Sequence, residues 1–144
     1  MGFLNDQVTI AVATTSPENK PHVATMYYCI DDDINFYFMA AKNSQKLKDI
    51  EVNKNIAITV GFGPALINVQ AQGEAEVIYD YNEDFVNKIL KKINFHSIDQ
   101  IPVLRLEKDG IVFLKMKPTR LTFLNLDKEG HPDTYGHENG VIIP

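Results

Sequence analysis

The feature that most constrains the fold is the strict alternation of polar and small apolar side chains over residues 67–79, INVQAQGEAEVIY. The polar members are Asn68, Gln70, Gln72, Glu74 and Glu76, and the members between them are Val69, Ala71, Gly73, Ala75 and Val77. Side chains two residues apart lie on the same face of a β-strand, so the segment predicts a strand with one face against a core. The opposite face meets water or a polar ligand.

Other segments are rich in β-branched and aromatic residues and are bounded by turn residues. They cover residues 7–15, 21–30, 34–40, 55–62 and 110–126, the last being one long strand or two short ones divided at Pro118. Helical spacing appears instead in residues 43–53 and 80–94, and Asp80 with Glu83 predicts a capping box for the second helix. Closure removes exposed strand edges, so we expect a mainly β fold, a small antiparallel barrel with two main helices.

Length and composition indicate one globular domain. The chain has 144 residues and a net charge of −5, so we expect a single domain over residues 1–144, with residues 128–144 as an irregular tail. The acidic balance argues against a nucleic-acid partner, and no apolar run reaches the roughly 20 residues of a membrane span. A lone cysteine, Cys29, and a start without a basic leader lead us to expect a cytoplasmic protein.

Two groups of residues could be metal ligands, but both are better interpreted as parts of a turn or a tail. Asp31, Asp32 and Asp33 lack the spacing of a calcium loop and predict a hairpin turn. His131 and His137 are conceivable metal or haem ligands, but two histidines do not make a complete ligand set, and an irregular tail is the favoured interpretation. No metal site is therefore predicted.

The segment AAKNSQKLKDI, residues 40–50, has lysines where a helix is expected to begin. Asn43 or Ser44 is a suitable N-cap, and the unpaired N–H groups of a helix N-terminus favour acidic neighbours. Lys42 and Lys46 stand there instead. One interpretation is a solvated helix face. The other is a phosphate site formed by helix N–H groups, the Ser44 hydroxyl and the Lys46 ammonium.

Four segments carry a resemblance to a known family through their order and spacing. They are NKPHVATMYY, FYFMAAKNSQKLKDIEVNKNIAITV, NVQAQGEAEVI and MKPTRLTFL, and the match extends over residues 9–126. Together they resemble the flavin-binding split β-barrel proteins related to pyridoxamine 5′-phosphate oxidase, especially the short general-stress and nitroimidazole-reductase-like members. The resemblance implies a six-stranded antiparallel split barrel of Greek-key topology, and a homodimer that holds FMN in a groove between its subunits.

The resemblance also implies which residues bind the cofactor. They are Ala24, Thr25, Met26 and Tyr27 in the second strand, Met39 and Ala40 in the third, Ser44, Gln45 and Lys46 at the helix start, and Asn68 in the strand at 67–79. Lys46 falls on the phosphate-binding basic position of the family. No side chain is assigned as a general acid or base, because the redox chemistry belongs to the flavin. His22 and Tyr27 are the candidates for substrate contact.

Departures from the family pattern narrow the expected activity. Pyridoxamine phosphate oxidase itself has an arginine and a lysine in the second strand and an arginine before the helix lysine, and the corresponding residues here are Ala24, Cys29 and Gln45. The resemblance therefore implies an FMN-dependent oxidoreductase of the flavin-reductase or nitroreductase type, with a small-molecule electron donor and acceptor, rather than that oxidase. Two alternatives stay open: an F420-binding reductase of the same fold, and a non-enzymatic haem- or flavin-binding module.

Overall fold

A computed structural model describes residues 2–61, 67–93 and 110–125, together with the backbone of residues 140–142. In chain order its elements are α1 Gly2–Asp6, β1 Thr9–Thr15, β2 Pro21–Ile30, β3 Phe36–Ala41, α2 Gln45–Val52, β4 Asn55–Val60, β5 Ile67–Ile78, α3 Glu83–Lys92, β6 Ile111–Asn125 and β7 Gly140–Ile142. Antiparallel strands follow the order β3-β2-β1-β4-β5-β6, and β3 pairs with β6 to close a six-stranded barrel. The predicted mainly β barrel with two main helices is confirmed, and β6 is one continuous strand.

The barrel interior is filled by every second residue of its strands, as the period of a strand requires. In β5, Val69, Ala71 and Ala75 are buried while Gln70 and Gln72 are exposed, so the two faces predicted from the alternation are confirmed. The short helix α1 was not expected from the sequence. It is attached to the barrel because the Tyr28 hydroxyl donates to the backbone carbonyl of Leu4 at 2.6 Å.

The amphipathic helix α3 covers the outer face of β2, β3 and β6. Its buried residues Ile89 and Leu90 pack in one cluster with Cys29, Met39 and Phe113 of the three strands. The prediction of a capping box from Asp80 and Glu83 is wrong. The N-cap is Asn82, whose side chain accepts a hydrogen bond from the backbone N–H of Phe85. Glu83 is therefore the first helical residue, and Asp80 lies outside the helix.

The acidic segment at residues 31–33 forms the turn of the β2–β3 hairpin, as predicted. The Asp31 carboxylate accepts hydrogen bonds from the backbone N–H groups of Asp33 and Asn35, from the Asn35 side chain and from the Tyr37 hydroxyl. Burial works to raise the pKa of Asp31, but the hydrogen bonds from Asn35, Tyr37 and Asp33 outweigh it and lower the pKa below the usual 3.8. Ile34, with φ of 60°, completes the turn in the left-handed region.

The interpretation of residues 128–144 as an irregular tail is wrong at residues 140–142. These form β7, which pairs with residues 121–123 of β6. Because β3 pairs only with residues 111–116 of β6, the later part of the long strand has an edge that β7 can occupy. His131 and His137 lie outside the described residues. Among the described helices, none is long and apolar enough to cross a membrane.

Candidate functional site

The strands β2 and β3 are paired along only part of their length. Their pairs are Tyr28 with Phe38, Cys29 with Tyr37, and Ile30 with Phe36. Beyond them β2 continues against β1 as far as Pro21, while β3 continues against β6 as far as Ala41. The two strands thus separate and leave an opening between residues 21–27 of β2 and residues 39–41 of β3, which we call the seam. Backbone polar groups that face such an opening need other partners, such as a ligand or water.

The orientation of the backbone in β2 shows which residue faces the seam. Tyr28 donates its backbone N–H to Val8, on the β1 side. Backbone groups of successive residues in a strand point to opposite edges, so those of Thr25 point to the seam. The side chain of Thr25 is exposed as well. Thr25 is therefore the predicted β2 residue best placed to contact a ligand.

Several other predicted contacts have their side chains directed elsewhere. Met26, 5% exposed, and Ala40, 1% exposed, belong to the barrel core. Met39 packs in the cluster beneath α3, and Tyr27 lies against the same cluster. By the same alternation the backbone groups of Met26 point to β1, and those of Ala40 point to the β6 side, where Lys42 donates its N–H to Gly110. The backbone of Met39 therefore faces the seam, and Ala24 is half-buried.

The N-terminus of α2 lies just beyond the β3 side of the seam. Ser44 is the N-cap, and its backbone N–H donates to Ala41, the last residue of β3. Its hydroxyl makes no capping hydrogen bond, and Oγ is buried without a partner among the described residues. The first turn of α2 contains no acidic residue, and Lys46 is half-buried there while Lys42 is exposed. An unsatisfied buried hydroxyl costs roughly 1–3 kcal/mol, so an anion bonded to Ser44 and to the helix N–H groups fits this position.

Gln45, which is itself exposed, belongs to a polar cluster around the buried Asp49 behind the helix start. Its Nε2 donates to Oδ1 of Asp49 at 2.8 Å, and the Thr14 hydroxyl donates to Oδ2 at 2.7 Å. Asp49 is fully buried, and Nδ1 of His22 lies 3.9 Å from Oδ2. Asp49 could not be recognised from the sequence, because an aspartate in the middle of a helix is normally solvated and nothing in the local pattern distinguishes this one.

Within one chain, the predicted site residue Asn68 lies far from the seam. Three strand spacings separate β5 from β2 in either direction around the barrel, so the two strands lie opposite each other. The Asn68 amide nitrogen donates to the Thr59 hydroxyl at 2.7 Å and to the carbonyls of Val60 and Gly61. Its Oδ1 is buried without a partner among the described residues.

A shallow groove of about 510 Å³ lies on the outer face of β1, β4, β5 and β6, next to Asn68. Small side chains form much of its surface, and two glutamines and an arginine add polar groups; these residues include Ala11, Ala13, Ala57, Thr59, Gln70, Gln72 and Arg120. Val23, at one side of the groove, is 66% exposed. The small side chains of this shallow groove allow the surface of another protein chain to approach closely.

Solved structures of other proteins share this fold. General Stress Protein 26 from Bacillus anthracis is 20% identical, with a TM-score of 0.65 over 85% of this chain and 88% of that chain. A pyridoxamine 5′-phosphate oxidase-related, FMN-binding protein from Nostoc punctiforme is 14% identical, with a TM-score of 0.60 over 94% of this chain and 88% of that chain. At such identities the likeness shows the fold alone.

Two further neighbours carry the names of other cofactors. An F420 reductase is 20% identical, with a TM-score of 0.65 over 83% of this chain and 93% of that chain. The haem storage protein HutZ from Vibrio cholerae is 13% identical, with a TM-score of 0.66 over 88% of this chain and 94% of that chain. No curated protein matches the sequence. Residues 1–125, however, match the family described as pyridoxamine 5′-phosphate oxidase, and the chain therefore belongs to that family.

Proposed function

We propose that this chain binds FMN in the seam and acts as an FMN-dependent oxidoreductase on a small molecule. The observation that carries the proposal is the buried Ser44 hydroxyl without a described partner, at a helix N-terminus beside an opening between two strands. Bound FMN would supply the electron-transfer chemistry. The protein would hold the cofactor and limit access to it.

The N-terminus of α2 is the part of the site suited to the FMN phosphate. The Ser44 hydroxyl and the N–H groups of the first turn are hydrogen-bond donors, and the half-buried Lys46 adds a positive charge. Each charge-assisted hydrogen bond contributes about 1.5–3 kcal/mol when it is removed from water. Two or three such bonds are enough to anchor a phosphate dianion.

The seam is the part suited to the flat ring. Backbone groups of Thr25 can form hydrogen bonds with the polar edge of a flavin, since the β2–β3 ladder does not extend to this residue. Tyr27 and the cluster beneath α3 provide an apolar boundary at the end where the strands come together. Binding of the cofactor does not require any described side chain to transfer a proton to it.

The position of Asn68 supports a homodimer with the cofactor between subunits. Asn68 and the seam lie on opposite sides of one barrel, so both can contact one cofactor only if they belong to different chains. The groove next to Asn68 has a surface of small side chains on which a second copy can pack closely. An Ala57→Arg substitution in this groove is expected to produce a monomer in light scattering and to reduce FMN affinity in parallel.

The cofactor is tested by adding FMN, F420 or haem to purified protein in separate titrations followed by absorbance and fluorescence. We expect saturable binding of FMN with quenched flavin fluorescence. Binding of F420 or haem in place of FMN would assign one of the alternative functions. A protein that binds none of the three would contradict the proposal that the seam is a cofactor site.

Lys46→Ala tests the position of the phosphate. We expect the dissociation constant for FMN to rise at least about tenfold, equivalent to about 1.4 kcal/mol, while riboflavin, which has no phosphate, is affected little. Lys48→Ala is the matched control, because Lys48 is exposed on the same helix. Equal FMN affinity in the Lys46 and Lys48 variants would place the phosphate elsewhere.

A further inference from the structure

The polar cluster around Asp49 contains a histidine whose position the family resemblance does not explain. Asp49 is 0% exposed, and its carboxylate accepts hydrogen bonds from the neutral groups of Thr14 and Gln45. His22 lies opposite Thr14 in the β1–β2 pairing, on the same face of the sheet. Its Nδ1 is buried without a partner among the described residues and lies 3.9 Å from Asp49 Oδ2.

The carboxylate beside the ring favours one arrangement of its protons. A carboxylate that is ionised only accepts hydrogen bonds, so it favours a proton on the Nδ1 that faces it. A buried charge is stabilised by an opposite charge nearby, and His22 is a basic group that the structure places beside Asp49. The distance of 3.9 Å is about 1 Å longer than a hydrogen bond, a gap that a small ring movement closes.

The His22 side chain is partly open to solvent. It is 40% exposed although Nδ1 is buried, so its exposed surface belongs to its other atoms. Gln45, the first residue of α2, and His22 approach different oxygens of the same carboxylate. His22 therefore lies beside the N-terminal turn of α2, where the phosphate site is proposed.

We propose that His22 is an additional anion-binding residue of this site, held by Asp49 as an imidazolium that donates Nε2–H to the bound phosphate group. Asp49 is a positioning residue: it fixes the ring through Nδ1 and does not touch the ligand. Asp49 from α2 is a charged group that faces His22, at 3.9 Å, and the β1 residue paired with His22 is the neutral Thr14. The identity of the anion as FMN rests on the proposed function, but the anion site itself does not.

The ring state is tested without any cofactor by nitrogen-15 NMR of the histidine side chains. The chain has four histidines, and the signals that vanish in His22→Asn identify His22. We expect a protonated Nδ1 in the wild type and loss of this preference in Asp49→Asn, but not in Glu51→Gln, the control at an exposed carboxylate on the same helix. A His22 ring protonated at only one nitrogen in the wild type, whether Nδ1 or Nε2, would overturn the proposal.

Anion binding is tested first with inorganic phosphate. Phosphate should shift the His22 Nε2 signal saturably in the wild type, and absence of a shift overturns the proposal even if FMN binds. The FMN dissociation constant should then rise about tenfold or more in His22→Asn, whereas that of riboflavin should change less than twofold. Equal losses for both flavins would place His22 at the ring and overturn the assignment.

The two proposals can fail separately. A phosphate-dependent shift of His22 in a protein that does not bind FMN would reject the proposed function and retain the anion site. Normal FMN binding by His22→Asn would reject the role of His22 and retain the proposed function. His22 is partly exposed, so this variant is expected to fold even if Asp49→Asn does not.

Discussion

Ser44→Ala separates the role of this residue in binding from its role in folding. A serine at an N-cap normally accepts a hydrogen bond from the helix, and replacing it with alanine costs about 1 kcal/mol of stability. Here the Ser44 side chain makes no such bond, and its Oγ is buried without a described partner. The usual reason for destabilisation is therefore absent from the ligand-free protein.

The expected magnitudes follow from these contacts. Removing a buried hydroxyl that has no partner relieves a penalty of roughly 1–3 kcal/mol, and this gain offsets any loss of packing. The free energy of unfolding of ligand-free Ser44→Ala should thus equal or slightly exceed that of the wild type. FMN binding should weaken by about 1.5–3 kcal/mol, which is roughly a ten- to hundredfold rise in the dissociation constant.

Urea unfolding without ligand and fluorescence titration with FMN measure the two quantities. Ser16→Ala is an instructive control because the Ser16 hydroxyl donates to Glu18 and accepts from the backbone N–H groups of Glu18 and Lys20 in an exposed turn. That variant should lose stability and keep FMN affinity, the opposite pattern. A destabilised Ser44→Ala protein with unchanged FMN affinity would refute the reasoning and make Ser44 an ordinary cap.

Three further predictions concern the barrel itself. A Cβ at Gly73 would lie 2.1 Å from the Lys117 carbonyl oxygen, so Gly73→Ala should lower the free energy of unfolding by about 3 kcal/mol or more. Gly2→Ala is the control: a Cβ there meets no atom within 4 Å, so this variant should keep the stability of the wild type. Burial raises the pKa of Cys29 to about 11, so at pH 8 a thiol reagent should react more than about a hundredfold slower with the folded than with the unfolded protein; equal rates would contradict this burial. The lowered pKa of Asp31 means that its ionised form stabilises the fold at pH values above 3.8, and this contribution decreases as the pH falls below that value. The destabilisation caused by Asp31→Asn should therefore be larger at pH 7 than at pH values below 3.8.

The elements with strong periodicity could be predicted from the sequence. The alternation in β5 correctly separated core from exposed residues, and the apolar stripe of α3 correctly indicated a helix packed on the barrel. Elements without such a pattern were missed. The five residues of α1 are too few to show a helical period, and β7 is short and depends on the free edge of β6 for its pairing.

Part of the candidate site was also readable from the sequence. Lys42 and Lys46 indicated the site because lysines are unfavourable at a helix N-terminus. Ser44 was a candidate N-cap, and the structure places it as the N-cap of α2. His22 was predicted only as a candidate for substrate contact, and its position beside a buried Asp49 could not be predicted. These residues are 27 positions apart along the chain, and only the packing of α2 on the barrel brings them together.

The sequence by itself determined which residues of β5 face the barrel core and that the chain has two main helices, because these depend on local side-chain spacing. Only the tertiary structure decided that β2 and β3 separate after Tyr28 and Phe38, that Asp49 is buried beside His22, and that Asn68 lies across the barrel from the seam. The physical reason is that each of these depends on contacts between distant segments, which form only when the barrel closes.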